Sequence, residues 1–295
     1  MRPLSYFFDK SSSGEDRFPQ RFCKFFFGLV RLIFTPLFRY EAADSQIVDQ
    51  IPIGQGAILA GNHRSYLDPL FILSVLRPRP VRFMGKEEFF EIHPVISRMA
   101  AWVGAYPIKR NTADMTAVKR TIRMLKRGEL VGIFPEGTRI RFAGQEVINH
   151  QGIALIAIMA DVPVIPVHLW GTEKICPEGK RFFRTPKISL RFGQPLRIND
   201  EPFASLPKDQ RQQAFTDEVM RRVYELQPLP NTPESQQISS RSATNAENGN
   251  ANENDNTGIG VVSPAAISIA SDVDSSGNPA SNSLTSGTSA DSGGA

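Results

Sequence analysis

No stretch of about 18 uncharged apolar residues occurs anywhere in this chain, which excludes a polytopic membrane protein. Cysteine is nearly absent. Cys23 and Cys176, among 295 residues, cannot build a disulfide framework and match no zinc spacing. A reducing, cytoplasmic compartment is the simplest expectation. The nucleophile elbow G-x-S-x-G, the P-loop and the dinucleotide pattern G-x-G-x-x-G are all missing, and neither cysteine stands in a nucleophile pattern. A secretory signal is wanting too, because charges interrupt the N-terminal apolar region and no small-residue cleavage site follows it. From Asn231 onward aromatic residues vanish and Asn, Ser, Gly, Ala and Thr dominate. Such a segment buries too little surface to offset its ordering entropy, so residues 231–295 are expected to be a disordered, low-complexity tail.

What is present is positive charge. The tail carries seven of the 30 acidic residues and one of the 34 basic ones, Arg241, which leaves 33 basic against 23 acidic residues in 1–230, a net charge of +10. A body so basic seeks an anionic partner: nucleic acid, an anionic membrane or an acidic carrier protein. Residues 18–40 favour the membrane. Phe22, Phe25, Phe26, Leu29, Val30, Ile33, Phe34 and Leu37 cover most of a helix, and Arg17, Arg21, Lys24, Arg31 and Arg39 fall close to one stripe. A helix of that kind lies in the plane of a bilayer surface, its cations against lipid phosphates. An ordinary core helix with a solvated edge is the alternative. Nucleic acid is disfavoured, since the aromatics lie on a helix face and no RNP, KH or zinc pattern occurs. The chain thus divides into a membrane-docking segment (1–41), a catalytic body (42–230) and the tail (231–295).

Through the body, strand and helix patterns alternate. Strands are expected at 57–60, 81–84, 105–108, 130–134, 164–168 and 187–192. Helices are expected at 70–76, up to 102 with a break at Pro94, at 112–127, 152–160 and 208–226. The alternation predicts an α/β fold, a mostly parallel sheet flanked by helices. Four polar clusters follow four of the strands: Asn62-His63-Arg64-Ser65-Tyr66-Leu67-Asp68, Gly85-Lys86, Lys109-Arg110 and Pro135-Glu136-Gly137-Thr138-Arg139. Parallel strand ends share one edge of the sheet, where ligands bind, so these clusters are expected in one crevice. His63 and Asp68 would point about 140° apart on a regular helix, so cooperation between them requires a turn, and Pro69 favours one. A carboxylate on one imidazole nitrogen fixes the tautomer and leaves the other free to take a proton. Lys86, Arg110 and Arg139 suit phosphate oxygens, and Gly137 allows close backbone approach. With no nucleophile of its own, the histidine is expected to activate a hydroxyl on a phosphate-bearing substrate.

These clusters resemble the signatures of the glycerolipid acyltransferases, the family of 1-acyl-sn-glycerol-3-phosphate acyltransferases. Asn62-His63 through Asp68-Pro69 is similar to their His-x4-Asp block. Gly104-Ala105-Tyr106-Pro107-Ile108-Lys109-Arg110 resembles the second block, Phe134-Pro135-Glu136-Gly137-Thr138-Arg139 the third and Val162-Pro163-Val164-Ile165-Pro166-Val167 the fourth. The resemblance spans about residues 57–171. It implies acyl transfer from acyl-ACP or acyl-CoA to the free sn-2 hydroxyl of a lysophosphatidate, with a sibling acceptor (glycerol 3-phosphate or another lysophospholipid) as the runner-up. It further implies His63 as general base and Asp68 as its orienting partner. Lys86, Arg110 and Arg139 would hold the acceptor phosphate, and Glu136, Gly137 and Thr138 match acceptor-binding positions. No metal and no bound cofactor is implied. The partners implied are a membrane surface, a lysophospholipid and an acyl carrier protein or CoA thioester, for a peripheral or monotopic enzyme on the cytoplasmic face. One departure is Lys109, which adds a charge beside Arg110. A non-catalytic membrane-bound scaffold is the competing class.

Overall fold

The run Ala-Ile-Leu-Ala-Gly at Ala57–Gly61 is buried at every position, as a strand covered on both faces must be. The structure, a computed structural model, describes residues 4–9, 17–76, 81–109, 114–140, 145, 149–177, 183–230 and 232–236. Seven strands build it: β1 (Glu41–Ala43), β2 (Ala57–Gly61), β3 (Val81–Lys86), β4 (Ala105–Ile108), β5 (Leu130–Ile133), β6 (Val164–Trp170) and β7 (Ser189–Phe192). They form one sheet in the order β1-β7-β6-β2-β5-β3-β4. Every pairing is parallel except β6 with β7.

Helices α4 (Asp68–Val75), α5 (Pro94–Trp102), α6 (Met115–Lys126) and α7 (Gly152–Ala160) each follow a strand and return the chain for the next parallel one. α8 (Lys208–Glu225) closes the body. The expected mostly parallel sheet flanked by helices is what forms. In β2, Ile58 and Ala60 enter a core shared with α6, α7 and α8, while Ala57 and Leu59 enter the opposite core with α4. Gly132, in β5, makes room for a ring. A Cβ there would lie 2.0 Å from Phe83 Cε1. Phe83 in turn stacks on Phe134, at 5.7 Å between centroids. Gly132→Ala is therefore expected to cost about 1–3 kcal/mol through overpacking, read as a lower urea midpoint at unchanged m-value.

α2 (Arg17–Leu37) follows neither expectation alone. Its inner face, with Cys23, Phe27 and Val30, is buried against α4 and α5. Its outer face leaves Phe25, Leu29, Leu32, Ile33 and Leu37 in solvent, with Phe25 69% and Leu32 72% exposed. Arg39 lies beyond the helix with φ +45°, so it leaves the basic stripe. No helix among the described residues is long and apolar enough to cross a membrane.

α1 (Leu4–Asp9) is held at its C-terminal end by arginines. Buried Arg82 donates to Phe8 O at 2.7 Å and to Phe7 O at 3.3 Å. Arg120 and Arg123 reach the Asp9 carboxylate at 2.8 and 3.3 Å, and Arg127 donates to Asp9 O at 2.8 Å. Three cations of α6 and the residue after it, two of them exposed, therefore bind the N-terminal helix. The tail lies outside the described residues apart from 232–236. There Thr232 is buried and Glu234 pairs with Lys174 at 2.6 Å.

Candidate active site

Register places the site. In β2 and β5, Ala60 is level with Ile133, so the segments leaving these strands, 62–68 and 134–140, run side by side. Gly132 is level with Phe83 in β3, and Lys86 is level with Ile108 in β4. His63, Lys86, Lys109 and Glu136 accordingly all emerge at the same edge of the sheet. Arg110 lies outside the described residues.

The turn required between His63 and Asp68 is present. Asp68 opens α4 with Pro69 behind it, and its carboxylate reaches back over the turn. Oδ2 meets His63 Nδ1 at 2.9 Å and accepts from the Arg64 and Ser65 amides at 2.8 and 2.7 Å. The other oxygen, Oδ1, is buried without a hydrogen-bond partner among the described residues. An ionised carboxylate only accepts, so the proton of neutral His63 is assigned to Nδ1, which leaves Nε2 with a lone pair. His63 is 9% exposed, and its imidazole stacks on the Phe134 ring at 4.3 Å and 13°. A ring fixed on one face and one edge keeps Nε2 aimed, which is what removal of a hydroxyl proton needs.

The loop that carries this pair is tied to its neighbours. Asn62 donates to Leu169 O and accepts from Leu169 N, both at 2.9 Å, so its side-chain amide extends the β2–β6 ladder by one pair. The His63 amide donates to Glu136 Oε2 at 2.9 Å, and Ile140 N donates to His63 O at 2.9 Å. Glu136 is 2% exposed, and its second oxygen accepts the Tyr224 hydroxyl from α8. Burial raises the pKa of Glu136, against the lowering effect of these donors and of Arg64. Gly137 adopts φ +64°, and a Cβ on it would meet the His150 ring at 2.5 Å. Thr138 is exposed. Arg139 lies over the Tyr66 ring, with Cζ 3.4 Å from its centroid. Lys86 is exposed, and Lys109 is 3.9 Å from Glu87.

The structure thus brings together His63, Asp68, Glu136 and Gly137 in direct contact or on one continuous loop pair, with Arg139 beside them and Lys86 and Lys109 along the same edge. Sequence reasoning assigned no role to Phe134, Tyr66 or Tyr224. By pattern Phe134 reads as the end of a strand, and Tyr66 as one residue within the His63–Asp68 segment. No local signal marks Tyr224, which meets Glu136 from 88 residues away.

A His–Asp pair with a free nitrogen, set at the carboxyl edge of a parallel sheet among cations, defines a site able to activate a hydroxyl on an anionic acceptor. Comparison with known proteins narrows this. Residues 43–170 match the Acyltransferase family model. The chain is 31% identical over 179 residues to the 1-acyl-sn-glycerol-3-phosphate acyltransferase of Bacillus subtilis (strain 168), across 61% of this chain and 85% of that one. It is 32% identical over 158 residues to the protein of the same name from Streptococcus pneumoniae, across 52% of this chain and 54% of that one. The crystal structure of the 1-acyl-sn-glycerophosphate (LPA) acyltransferase PlsC from Thermotoga maritima shares the fold, with a TM-score of 0.52 at 23% identity over 76% of this chain and 88% of that one. This chain belongs to the acyltransferase family.

Proposed function

We propose that this protein transfers a fatty acyl group from acyl-ACP or acyl-CoA to the free sn-2 hydroxyl of 1-acyl-sn-glycerol 3-phosphate, giving phosphatidate. The observation that carries the reading is the 2.9 Å contact of His63 Nδ1 with Asp68 Oδ2, which commits one nitrogen and frees the other. Nε2 takes the hydroxyl proton as the oxygen attacks the thioester carbonyl carbon. The tetrahedral oxyanion collapses, the C–S bond breaks, and His63 passes the proton to the departing thiolate, which leaves as the free thiol and restores the base. Atoms and charge balance with the two substrates and His63, and the proposed reaction includes no metal and no bound cofactor. Asp68 stabilises the imidazolium formed on the way. Lys86, Arg110 and Arg139 hold the acceptor phosphate, with Gly137 and Thr138 offering close backbone and hydroxyl contacts. Glu136 acts beneath them by anchoring the His63 loop. Holding both reactants on one rigid edge makes the attack effectively unimolecular.

The exposed apolar face of α2 supports a place for this chemistry. Phe25, Leu29, Leu32, Ile33 and Leu37 are joined on the outside of the protein by Phe89, Ile92, Val95 and Ile96, from α5 and the turn before it. Arg21, Lys24 and Arg31 are exposed on the same helix. Apolar side chains with interspersed cations suit a peripheral or monotopic position on the cytoplasmic face of a membrane, where a lysolipid is loaded without full extraction.

An acceptor panel tests the headgroup. Purified protein on anionic liposomes is given lysophosphatidate, glycerol 3-phosphate or lysophosphatidylcholine, each with acyl-ACP and with acyl-CoA. Preference for lysophosphatidate is expected. Preference for either other acceptor would move the enzyme to a sibling reaction, and no turnover with any acceptor by folded, membrane-bound protein would favour a scaffold. Tyr66 offers a finer check. A ring that seats the Arg139 guanidinium holds it in place for a phosphate contact, so Tyr66→Ala is expected to raise KM for lysophosphatidate about two- to fivefold with kcat kept. Tyr66→Phe is expected to restore it.

A further inference from the structure

Glu136 is a buried carboxylate, 2% exposed, and such a group is costly to bury unless it is hydrogen-bonded. Its two oxygens are met by two neutral donors, the His63 amide at Oε2 and the Tyr224 hydroxyl at Oε1. The first donor belongs to the proposed base. The second comes from the far end of the chain.

Tyr224 occupies the last turn of α8, and its own position is set from β6. The final carbonyls of a helix have no intrahelical partner. One of them, Val223 O, receives His168 Nδ1–H at 2.8 Å. Burial lowers the pKa of His168 to about 4, so the ring is neutral at pH 7, and a carbonyl partner requires the proton on Nδ1. The same imidazole meets the Tyr224 ring edge to face at 5.5 Å and stacks on Trp170 at 4.2 Å. Tyr224 is thus held on a capped helix end. Although its residue is 43% exposed, its hydroxyl reaches the buried carboxylate.

The His63–Asp68 pair has little hold on the sheet by itself. The Asp68 oxygen is satisfied by Arg64, Ser65 and His63, all within its own loop. These bonds fix how the imidazole is rotated. They do not fix where the loop sits relative to the cations along the sheet edge. That position depends on α4, packed in the core behind it, and on ties leaving the loop: the His63 ring on Phe134, Asn62 to Leu169, Ile140 to His63 O, and the His63 amide to Glu136. The last is only as firm as Glu136 itself.

We propose that Tyr224 is a positioning residue for the base, acting through Glu136: its hydroxyl holds Oε1, which sets Oε2 under the His63 amide and so places Nε2 against the acceptor hydroxyl. The inference rests on the reading of His63 as general base and deepens it. A base displaced by a fraction of an ångström loses rate without losing substrate affinity.

Tyr224→Phe removes one oxygen and keeps the ring on His168. In the liposome assay it is expected to lower kcat about tenfold with KM for lysophosphatidate within about twofold of wild type. In a Glu136→Ala background, or Glu136→Leu should the alanine variant unfold, the same change is expected to have no further effect, because the group it acts through is gone. A second readout needs no turnover. With the chain's four histidines followed by NMR and His63 assigned through His63→Ala, the His63 ring signals are expected to shift in Tyr224→Phe. Loss of the hydroxyl loosens Glu136 and with it the amide contact that seats the His63 loop. Of the other groups facing this region, Asp68 of α4 and His150 beside Gly137 keep their contacts, while Arg64 of the same loop, which meets the Tyr224 hydroxyl as well as facing Glu136, loses that contact too.

A KM rise at unchanged kcat, or full multiplication of the two losses in the double variant, would overturn the inference. So would kcat and His63 ring signals both equal to wild type. Wild-type protein without turnover, but with His63 ring signals that still move in Tyr224→Phe, would sink the acyl-transfer reading and leave the Tyr224 link standing.

Discussion

His63→Ala is expected to lower kcat for acyl transfer about 10²- to 10⁴-fold while the protein stays folded and membrane-bound. The residue is on a loop, and its ring stacks on Phe134 without filling a closed core layer, so its loss is expected to remove the proposed base more than the fold. Asp68 permits a sharper comparison. All three of its donors converge on Oδ2, and Oδ1 has no hydrogen-bond partner among the described residues. An asparagine can put its oxygen in the Oδ2 position and its NH2 in the Oδ1 position, keeping each bond and the His63 tautomer. The charge is lost, and the NH2 takes a buried place with no acceptor among the described residues. Hydrogen bonds to charged groups contribute about 1–1.5 kcal/mol more than neutral ones, so Asp68→Asn is expected to cost roughly tenfold in kcat. Asp68→Ala, which frees the imidazole, is expected to approach the loss seen for His63→Ala. Steady-state kinetics on matched liposomes, with the folded fraction read by circular dichroism, checks the order. Asparagine as damaging as alanine would show that the tautomer is not preserved.

Arg82→Ala is expected to destabilise the protein by about 3–5 kcal/mol, the usual consequence of removing one member of a buried charged network. The guanidinium is 2% exposed, donates to Phe7 and Phe8 carbonyls and lies 3.8 Å from buried Glu129. Its removal leaves those acceptors in a cavity that the alanine does not fill. Urea unfolding gives the magnitude. Limited proteolysis between residues 1 and 16 gives the location, because α1 loses the contact that anchors its C-terminal end. A variant that unfolds at the wild-type midpoint would show that Asp9, through Arg120 and Arg123, holds α1 unaided.

These two sites differ in how much of them the sequence could show. His63 and Asp68 lie five residues apart and settle their geometry through a local turn, so spacing and Pro69 were enough to foresee it. β4 at Ala105–Ile108 and α7 at Gly152–Ala160 match their expected limits, since each is a strongly apolar run between turn residues. β1, α1 and α3 (Gln46–Asp49) were missed because three to six residues carry no period. Lys86, expected just past a strand, is its last residue. The direction of β7 depends on pairing with β6, which local pattern does not encode. Arg120, Arg123 and Arg127 follow the periodicity of an outward face. Their partner Asp9 is more than 100 residues away, so a solvated stripe and an ion-pair clamp look alike in sequence. The same separation hides the Tyr224–Glu136 bond. What was legible was the chemistry carried by each strand end, and what was not was the set of long-range contacts that hold those ends still.

One experiment decides whether this edge of the sheet carries out the proposed reaction. Wild-type protein on anionic liposomes is incubated with lysophosphatidate and an acyl thioester, and products are identified by mass spectrometry alongside His63→Ala. The structure predicts phosphatidate and free thiol in equal amounts from the wild type and almost none from the variant. Phosphatidate formed at equal rates by both would contradict a base at His63, and thiol released without phosphatidate would contradict transfer to the lysolipid hydroxyl.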